Sequence, residues 1–341
     1  MMKILVDCAG ARIGGAKRLL NEFDLYLQDR RLPELRVTGR DRVLTAPWLL
    51  RRERPGDRYD RSLALNNVSF ALTGRERRVL IHGPQHFLRM DEVRTLGLRI
   101  GPAVHAQAPV VWAAMRRADH IFVPSTSMAE RVLRIMPAAR DRVVVAFNPV
   151  TPPDPHLLRV RSDERRERDA GAGTVDFLCP IIITPHKLMA RRLRAGLGAL
   201  DILAGPPHHI DATITVTGRA DLIEDPAVAH HPRLRLVREH PATTVIDMMI
   251  RCDAIFFPAE LESFGYPMAE GRMMGVPVVA LDSAHNREIA GPALVGYERE
   301  ATEEIAAALH AALEVDLKPD QDNPFDRGPY FDLLLGEGAA G

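Results

Sequence analysis

No apolar run in the 341 residues approaches the ~18 that a membrane-spanning helix needs. Cysteine is scarce. Cys8, Cys179 and Cys252 are odd in number and far apart, which excludes both a disulfide framework and a metal-knuckle spacing. Lysine is scarcer than its partner cation: only Lys3, Lys17, Lys187 and Lys318 stand among the 45 basic residues. A lysine retained in an arginine-rich chain is the better candidate for a place that needs a compact point charge. Net charge is zero, and no internal repeat is evident. The opening Met1-Met2-Lys3-Ile4-Leu5-Val6-Asp7 reads as a strand carrying an acid rather than a secretory leader, so a cytoplasmic location is expected.

What the chain does have is enough apolar side chain for real cores. Hydrophobic residues make up 46% and charged residues 26%, which excludes a disordered chain and a fibre. The zero net charge conceals an asymmetry. Residues 1–150 hold 26 Lys+Arg against 15 Asp+Glu, and the remainder carries the compensating acidic excess. Halves of opposite sign point to surfaces with different partners.

The organisation is two α/β series. Lys3 to Cys8 is an apolar run, followed by Gly10-Ala11-Arg12-Ile13-Gly14-Gly15. Ala16, Leu19, Leu20, Phe23 and Leu27 then recur at helical spacing. Strands are predicted at Val79–Ile81, His120–Val123 and Val143–Phe147, with helices near Val110–Arg117 and Met128–Met136; Ser127-Met128-Ala129-Glu130 has the form of a capping box. Prolines, a charged run and glycines over 151–173 read as an interdomain linker. Strands then follow at Val175–Leu178, Ala212–Val216, Leu234–Val237, Ala254–Phe257 and Val276–Ala280, with helices near Arg191–Leu203, Thr243–Arg251, Pro267–Met274 and Glu303–Leu313. The expected fold class is therefore α/β, with two doubly wound Rossmann-like domains, 1–150 and 174–341, facing across a cleft.

The densest stretch runs from Phe256 to Gly271 and ends in Gly275-Val276-Pro277-Val278-Val279. A buried strand ends near Pro258, a loop holds Glu262, and a helix starts near Pro267, since proline suits the first helical position. Glu262 is thus expected at the carboxyl edge of the sheet and Glu270 about one turn into the helix. The helix N-terminus and the N–H groups around Phe264 and Gly265 are expected to suit an anion. Two carboxylates beside such a helix end fit a sugar nucleotide, with acids for hydroxyls and amides for phosphate.

Glu262-x7-Glu270, with Ser-Phe-Gly-Tyr-Pro between and Gly-Val-Pro-Val-Val after, resembles the signature of the retaining glycosyltransferases of family 4, which have the GT-B fold. Gly14 and Gly15 are similar to that family's N-terminal glycine loop. Ala118-Asp119-His120-Ile121-Phe122-Val123-Pro124-Ser125 resembles its strand leading into a serine, and Thr184-Pro185-His186-Lys187 its diphosphate lysine. Thr215-Val216-Thr217-Gly218 resembles its next strand and glycine turn.

The resemblance implies a metal-independent hexosyltransferase that takes a nucleotide-diphosphate sugar as donor substrate, needs no cofactor, and passes the sugar to a hydroxyl acceptor. The pathway would be that of a glycan, a glycolipid or a glycosylated metabolite, with no nucleic-acid partner. Glu262 would meet the donor sugar, Glu270 the ribose and Lys187 the diphosphate. Gly14, Gly15, Gly218, Phe264 and Gly265 would line the nucleotide. His82, or His86 in its place, would face the reacting sugar. One position departs: many members carry an arginine five residues before the lysine, where this chain has Ile182, with Arg191 or Arg219 as substitutes. That departure keeps two alternatives open, a non-catalytic sugar-nucleotide or glycan-binding protein and a nucleotide-sugar epimerase on the same fold.

The basic surplus of the first half gives a further expectation, peripheral contact with an anionic membrane on its inner face. The candidate residues are Lys17, Arg18, Arg30, Arg31, Arg51, Arg52, Arg54, Arg58 and Arg61. His208-His209 and His230-His231 read as surface loops, and Asp320-Gln321-Asp322 lacks the preceding strand that a metal-binding acid pair would have.

Overall fold

The computed structural model describes residues 2–337 except 12–13, 57–58, 96–97, 99, 155, 157, 159–173, 182–188, 224, 239 and 260. The chain divides into two compact units. In the first, β1 (Ile4–Asp7), β2 (Leu35–Thr38), β3 (Arg61–Ala64), β4 (Glu76–Leu80), β5 (His120–Val123) and β6 (Val143–Val145) form one parallel sheet in the order β2-β1-β3-β4-β5-β6. Its direction of winding reverses between β1 and β3. In the second, β7 (Val175–Cys179), β8 (Ala212–Thr217), β9 (Leu234–Val237), β10 (Ala254–Phe257), β11 (Val278–Leu281) and β12 (Leu294–Tyr297) form a parallel sheet in the order β12-β11-β10-β7-β8-β9, reversing between β7 and β10. Such reversal points, at the carboxyl ends of the strands, are where open α/β sheets receive ligands.

Central strands such as Ala254–Phe257 are apolar at every position because both faces are covered. One feature of the second half departs from the expected 174–341 domain: Pro324–Gly341 belongs to the first unit with Met1–Leu96 and Ile100–Thr151. The helix Arg327–Leu335 buries Tyr330, Phe331, Leu334 and Leu335 in the core that holds Leu19, Phe23 and Tyr26. Its last carbonyls are taken by two guanidiniums from the sheet. Arg61 Nη1 donates to Leu335 O at 2.9 Å and Gly336 O at 2.7 Å, and Arg78 Nη1 donates to Leu333 O at 2.8 Å. Cations at a helix C-terminus satisfy both its orphan acceptors and its dipole. Glu76 lies between the two arginines, which hold its carboxyl below the usual range against the opposing effect of burial.

A smaller correction concerns the helix Thr126–Ile135. Ser125, fully buried, is its cap, accepting from Met128 N at 3.2 Å; Ser127 lies inside the helix, so the expected capping box does not form, and a simple serine cap stands two residues earlier.

Candidate functional site

In the second unit, β10 ends at Phe257 and leads through buried Pro258 and Ala259 to a loop in which Glu262 is half-buried. Phe264 then turns inward and is 1% exposed. Gly265 adopts φ +88°, a left-handed conformation that a side chain resists, and caps the helix Tyr266–Met274. Pro267 occupies the first turn, which contains no acid, so the helix end faces the loop with its positive pole uncompensated by its own side chains. Glu270 is 5% exposed on the same helix. The helix packs closely on the sheet because Gly271 has no Cβ; one built there would meet Val278 Cγ2 at 2.6 Å. Gly275 ends it at φ +64°, where a Cβ would lie 2.7 Å from the backbone of Lys318 and Pro319.

Gly218 is buried at the carboxyl end of β8, its N–H directed to Val237 O at 2.8 Å. The segment leaving β7 that carries Ile182 and Lys187 lies outside the described residues. The two arginines considered as substitutes are both in ion pairs: Arg191 with Glu300 at 3.3 Å and Arg219 with Asp221 at 2.6 Å. A residue that sequence reading passed over is Arg192, 5% exposed, whose Nη1 donates to Pro258 O at 2.8 Å. It anchors the point where the Glu262 loop departs. Its signal, one arginine among the three of Arg191-Arg192-Leu193-Arg194, is indistinguishable in sequence from its exposed neighbours Arg191 and Arg194.

In the first unit, the expected glycine loop opens the helix Gly14–Asp29. Gly14 has φ +59° and Gly15 is exposed in the first turn, which again contains no acid; Arg12 and Ile13 lie outside the described residues. His82 follows β4 and is half-buried; His86 is buried in the 3-10 turn Pro84–Phe87. Gly83 leaves room for the second ring, since a Cβ there would meet His86 Cδ2 at 2.9 Å. Burial and the neighbouring His86 push His82 down to about 4, and burial lowers His86 also. Both imidazoles are therefore neutral at pH 7, fitted for hydrogen bonding rather than for carrying charge.

The basic face expected on this unit is smaller than the sequence suggests. Arg52 is 2% exposed and pairs with Asp7, and Arg61 is spent on Glu76 and the C-terminal helix. Arg30 pairs with Asp332 at 3.0 Å, and Arg58 lies outside the described residues. Lys17, Arg31, Arg51 and Arg54 are exposed. In the second unit, Asp320 of the Asp-Gln-Asp run is tied to Arg272 Nε at 2.6 Å. Among the described residues no group of three or more His, Cys, Asp or Glu is placed to hold a metal ion.

No family model and no curated protein matches the sequence. Solved structures do. HepE of Anabaena in complex with UDP and glucose superposes with a TM-score of 0.60 at 14% identity, over 99% of this chain and 95% of that one. WaaG, a glycosyltransferase involved in lipopolysaccharide biosynthesis, gives 0.61 at 12% over 99% and 95%. Sucrose-phosphate synthase from Thermosynechococcus elongatus gives 0.62 at 12% over 99% and 97%. With two six-stranded parallel sheets and their surrounding helices, the chain has the two-domain Rossmann-like GT-B fold of these structures.

Proposed function

We propose that the protein is a retaining glycosyltransferase of the family 4 type, moving a sugar from a nucleotide-diphosphate donor to a hydroxyl acceptor. The observation that carries this reading is the junction after β10 at the reversal point of the second sheet. A loop carboxylate, Glu262, precedes a helix whose amino end opens through a left-handed glycine and contains no acid, with Glu270 one turn further on. A complex of HepE with UDP-glucose, on the same fold, adds support for a uridine donor.

In this reading Glu270 takes the ribose hydroxyls and Glu262 the donor sugar. The backbone around Phe264 and Gly265 accepts the diphosphate at the helix end. Lys187 neutralises the diphosphate as it leaves, so the developing charge is met by a fixed ammonium and a helix dipole, with no metal required. Attack and departure share one face of the sugar, and the leaving phosphate takes the acceptor proton. His82, more open than His86 and neutral, serves as a hydrogen-bonding partner of the reacting sugar. The exposed basic residues of the first unit are proposed to touch an anionic membrane carrying the acceptor.

The test is release of free UDP from UDP-glucose and related donors with candidate acceptors, with and without EDTA. Acceptor-dependent, EDTA-insensitive release with retention at the anomeric carbon is expected. Binding of UDP without release under every acceptor favours the second reading, a non-catalytic binding protein, for which Ile182 and the ion-paired Arg191 and Arg219 argue.

A further inference from the structure

Asn67 has a backbone φ of +67°, a region that few residues other than glycine occupy. It follows β3, and its backbone N–H donates to Leu80 O, the last residue of β4, at 3.1 Å. Its side-chain oxygen then accepts two backbone N–H groups of the neighbouring strand's exit: His82 N at 2.7 Å and Gly83 N at 3.0 Å. The residue before it is held as firmly. Asn66 Nδ2 donates to Asp7 Oδ2 at 2.7 Å, and Asn66 is 3% exposed. The carboxyl ends of β1, β3 and β4 are thereby joined through Asp7, Asn66, Asn67 and His82, at the reversal point of the first sheet.

We infer that Asn67 is the positioning residue of His82. Its amide oxygen fixes the backbone from which the imidazole projects, and its left-handed backbone brings that oxygen to the place where both N–H groups converge. Glycine would supply the backbone conformation more cheaply, so a side chain retained there points to the acceptor it carries. A turn that only reversed the chain would not need one oxygen to hold two consecutive amides. The inference rests on the glycosyltransferase reading, in which His82 meets the reacting sugar, and small displacements of such a group reduce rate steeply.

The experiment uses the full chain and three variants: Asn67→Gly, which keeps the backbone and removes the oxygen; Asn67→Asp, which keeps both; and His82→Ala. Turnover of UDP-glucose, UDP affinity, thermal unfolding and amide hydrogen exchange at His82 and Gly83 are measured for each. In Asn67→Gly, exchange at His82 and Gly83 accelerates and kcat falls ten- to a hundredfold. UDP affinity stays within twofold and the fold is retained. Asn67→Asp recovers most of the lost kcat. Wild-type kcat in Asn67→Gly beside an inactive His82→Ala overturns the inference and spares the functional reading. Wild-type kcat in His82→Ala overturns the role of both residues. Unaltered exchange at the two amides in Asn67→Gly overturns the inference independently of any activity.

Discussion

Arg52 Nη1 lies 2.5 Å from Asp7 Oδ2, with the arginine side chain 1% exposed and the aspartate wholly buried. Neither group relies on the other alone. Asp7 also accepts from Asn66 Nδ2, Trp48 Nε1 and Ala9 N, while Arg52 Nη2 donates to Val68 O at 2.7 Å and Ser69 O at 2.8 Å and its guanidinium lies over the Phe70 ring. A buried pair of this kind contributes little net stability compared with apolar packing, but breaking it leaves an uncompensated charge. Arg52→Ala is therefore expected to destabilise the first unit by ~3–5 kcal/mol in urea unfolding. Arg52→Lys keeps the charge, loses the two carbonyls and the ring, and falls between. Wild-type stability in Arg52→Ala would show the pair to be dispensable.

The C-terminal helix gives a second stability prediction. Phe331 is wholly buried, with ring centroids 5.0 Å from Phe23 and 5.2 Å from Tyr26. Phe331→Ala should cost ~3–5 kcal/mol, felt by a segment far away in sequence. Hydrogen exchange checks it: protection should fall in Gly14–Asp29 and the first sheet and persist in the second. Loss confined to β7–β12 would contradict the assignment of this helix to the first unit.

How much of this was readable in advance follows from particular residues. Ala254–Phe257 and His120–Val123 coincide with predicted strands because they are short, mostly apolar runs, and Leu234–Val237, Leu-Arg-Leu-Val, does so because apolar and charged residues alternate. β3 escapes because Arg-Ser-Leu-Ala carries no run, its arginine being directed to a helix more than two hundred residues later. The place of Arg327–Leu335 is invisible for the same reason: periodicity identifies a buried face but not the sheet that covers it. Glu262, Gly265 and Glu270 are legible as a spacing around a helix start. Asn67 is not, because a hydrogen bond from a left-handed residue to the next strand leaves no period.

The depressed His82 gives a pH dependence. Its ordinary value of 6.5 falls to about 4 in the folded protein through burial and the neighbouring His86. Between these values the unfolded chain binds a proton that the folded one refuses, so stability is full above pH 6.5 and declines as pH falls toward 4. The expected loss over that window is roughly 2–3 kcal/mol. His86, lowered as well, adds in the same direction. Urea unfolding across pH 4–8 should show the decline, and His82→Gln should flatten it. An unflattened profile in that variant would place the decline elsewhere.

Within the proposed chemistry, Glu270→Ala is expected to weaken UDP binding, because ribose contacts persist before and after transfer. Glu262→Ala should depress kcat more than affinity, since it faces the group whose charge changes. Lys187→Ala should reduce turnover on the order of a hundredfold or more, with partial rescue by arginine. Steady-state kinetics with calorimetric UDP titration separates these effects. Equal losses of affinity alone from both carboxylate variants would remove the division of labour between them.

The proposed membrane contact is now confined to fewer residues. Lys17 and Arg31 lie near opposite ends of the helix Gly14–Asp29, roughly 20 Å apart, and form no compact cluster. Arg51 and Arg54 are close in sequence and exposed, and their segment carries Leu50, 79% exposed. Glu53 ties this segment to the loop bearing Leu72, 63% exposed, by accepting from the N–H groups of Ala71, Leu72 and Thr73. Two arginines contribute ~1 kcal/mol each near an anionic bilayer, and exposed leucines add by insertion, so the expected attachment is weak and reversible. Co-sedimentation with phosphatidylglycerol vesicles should be detectable at low salt and vanish by ~0.5 M, as the Debye length shortens. Arg51→Glu with Arg54→Glu should abolish it while leaving UDP binding by the second unit unchanged, since both residues belong to the first unit. Equal binding to neutral phosphatidylcholine vesicles, or none to the anionic ones at low salt, would remove the membrane from the proposal and point to an acceptor met in solution.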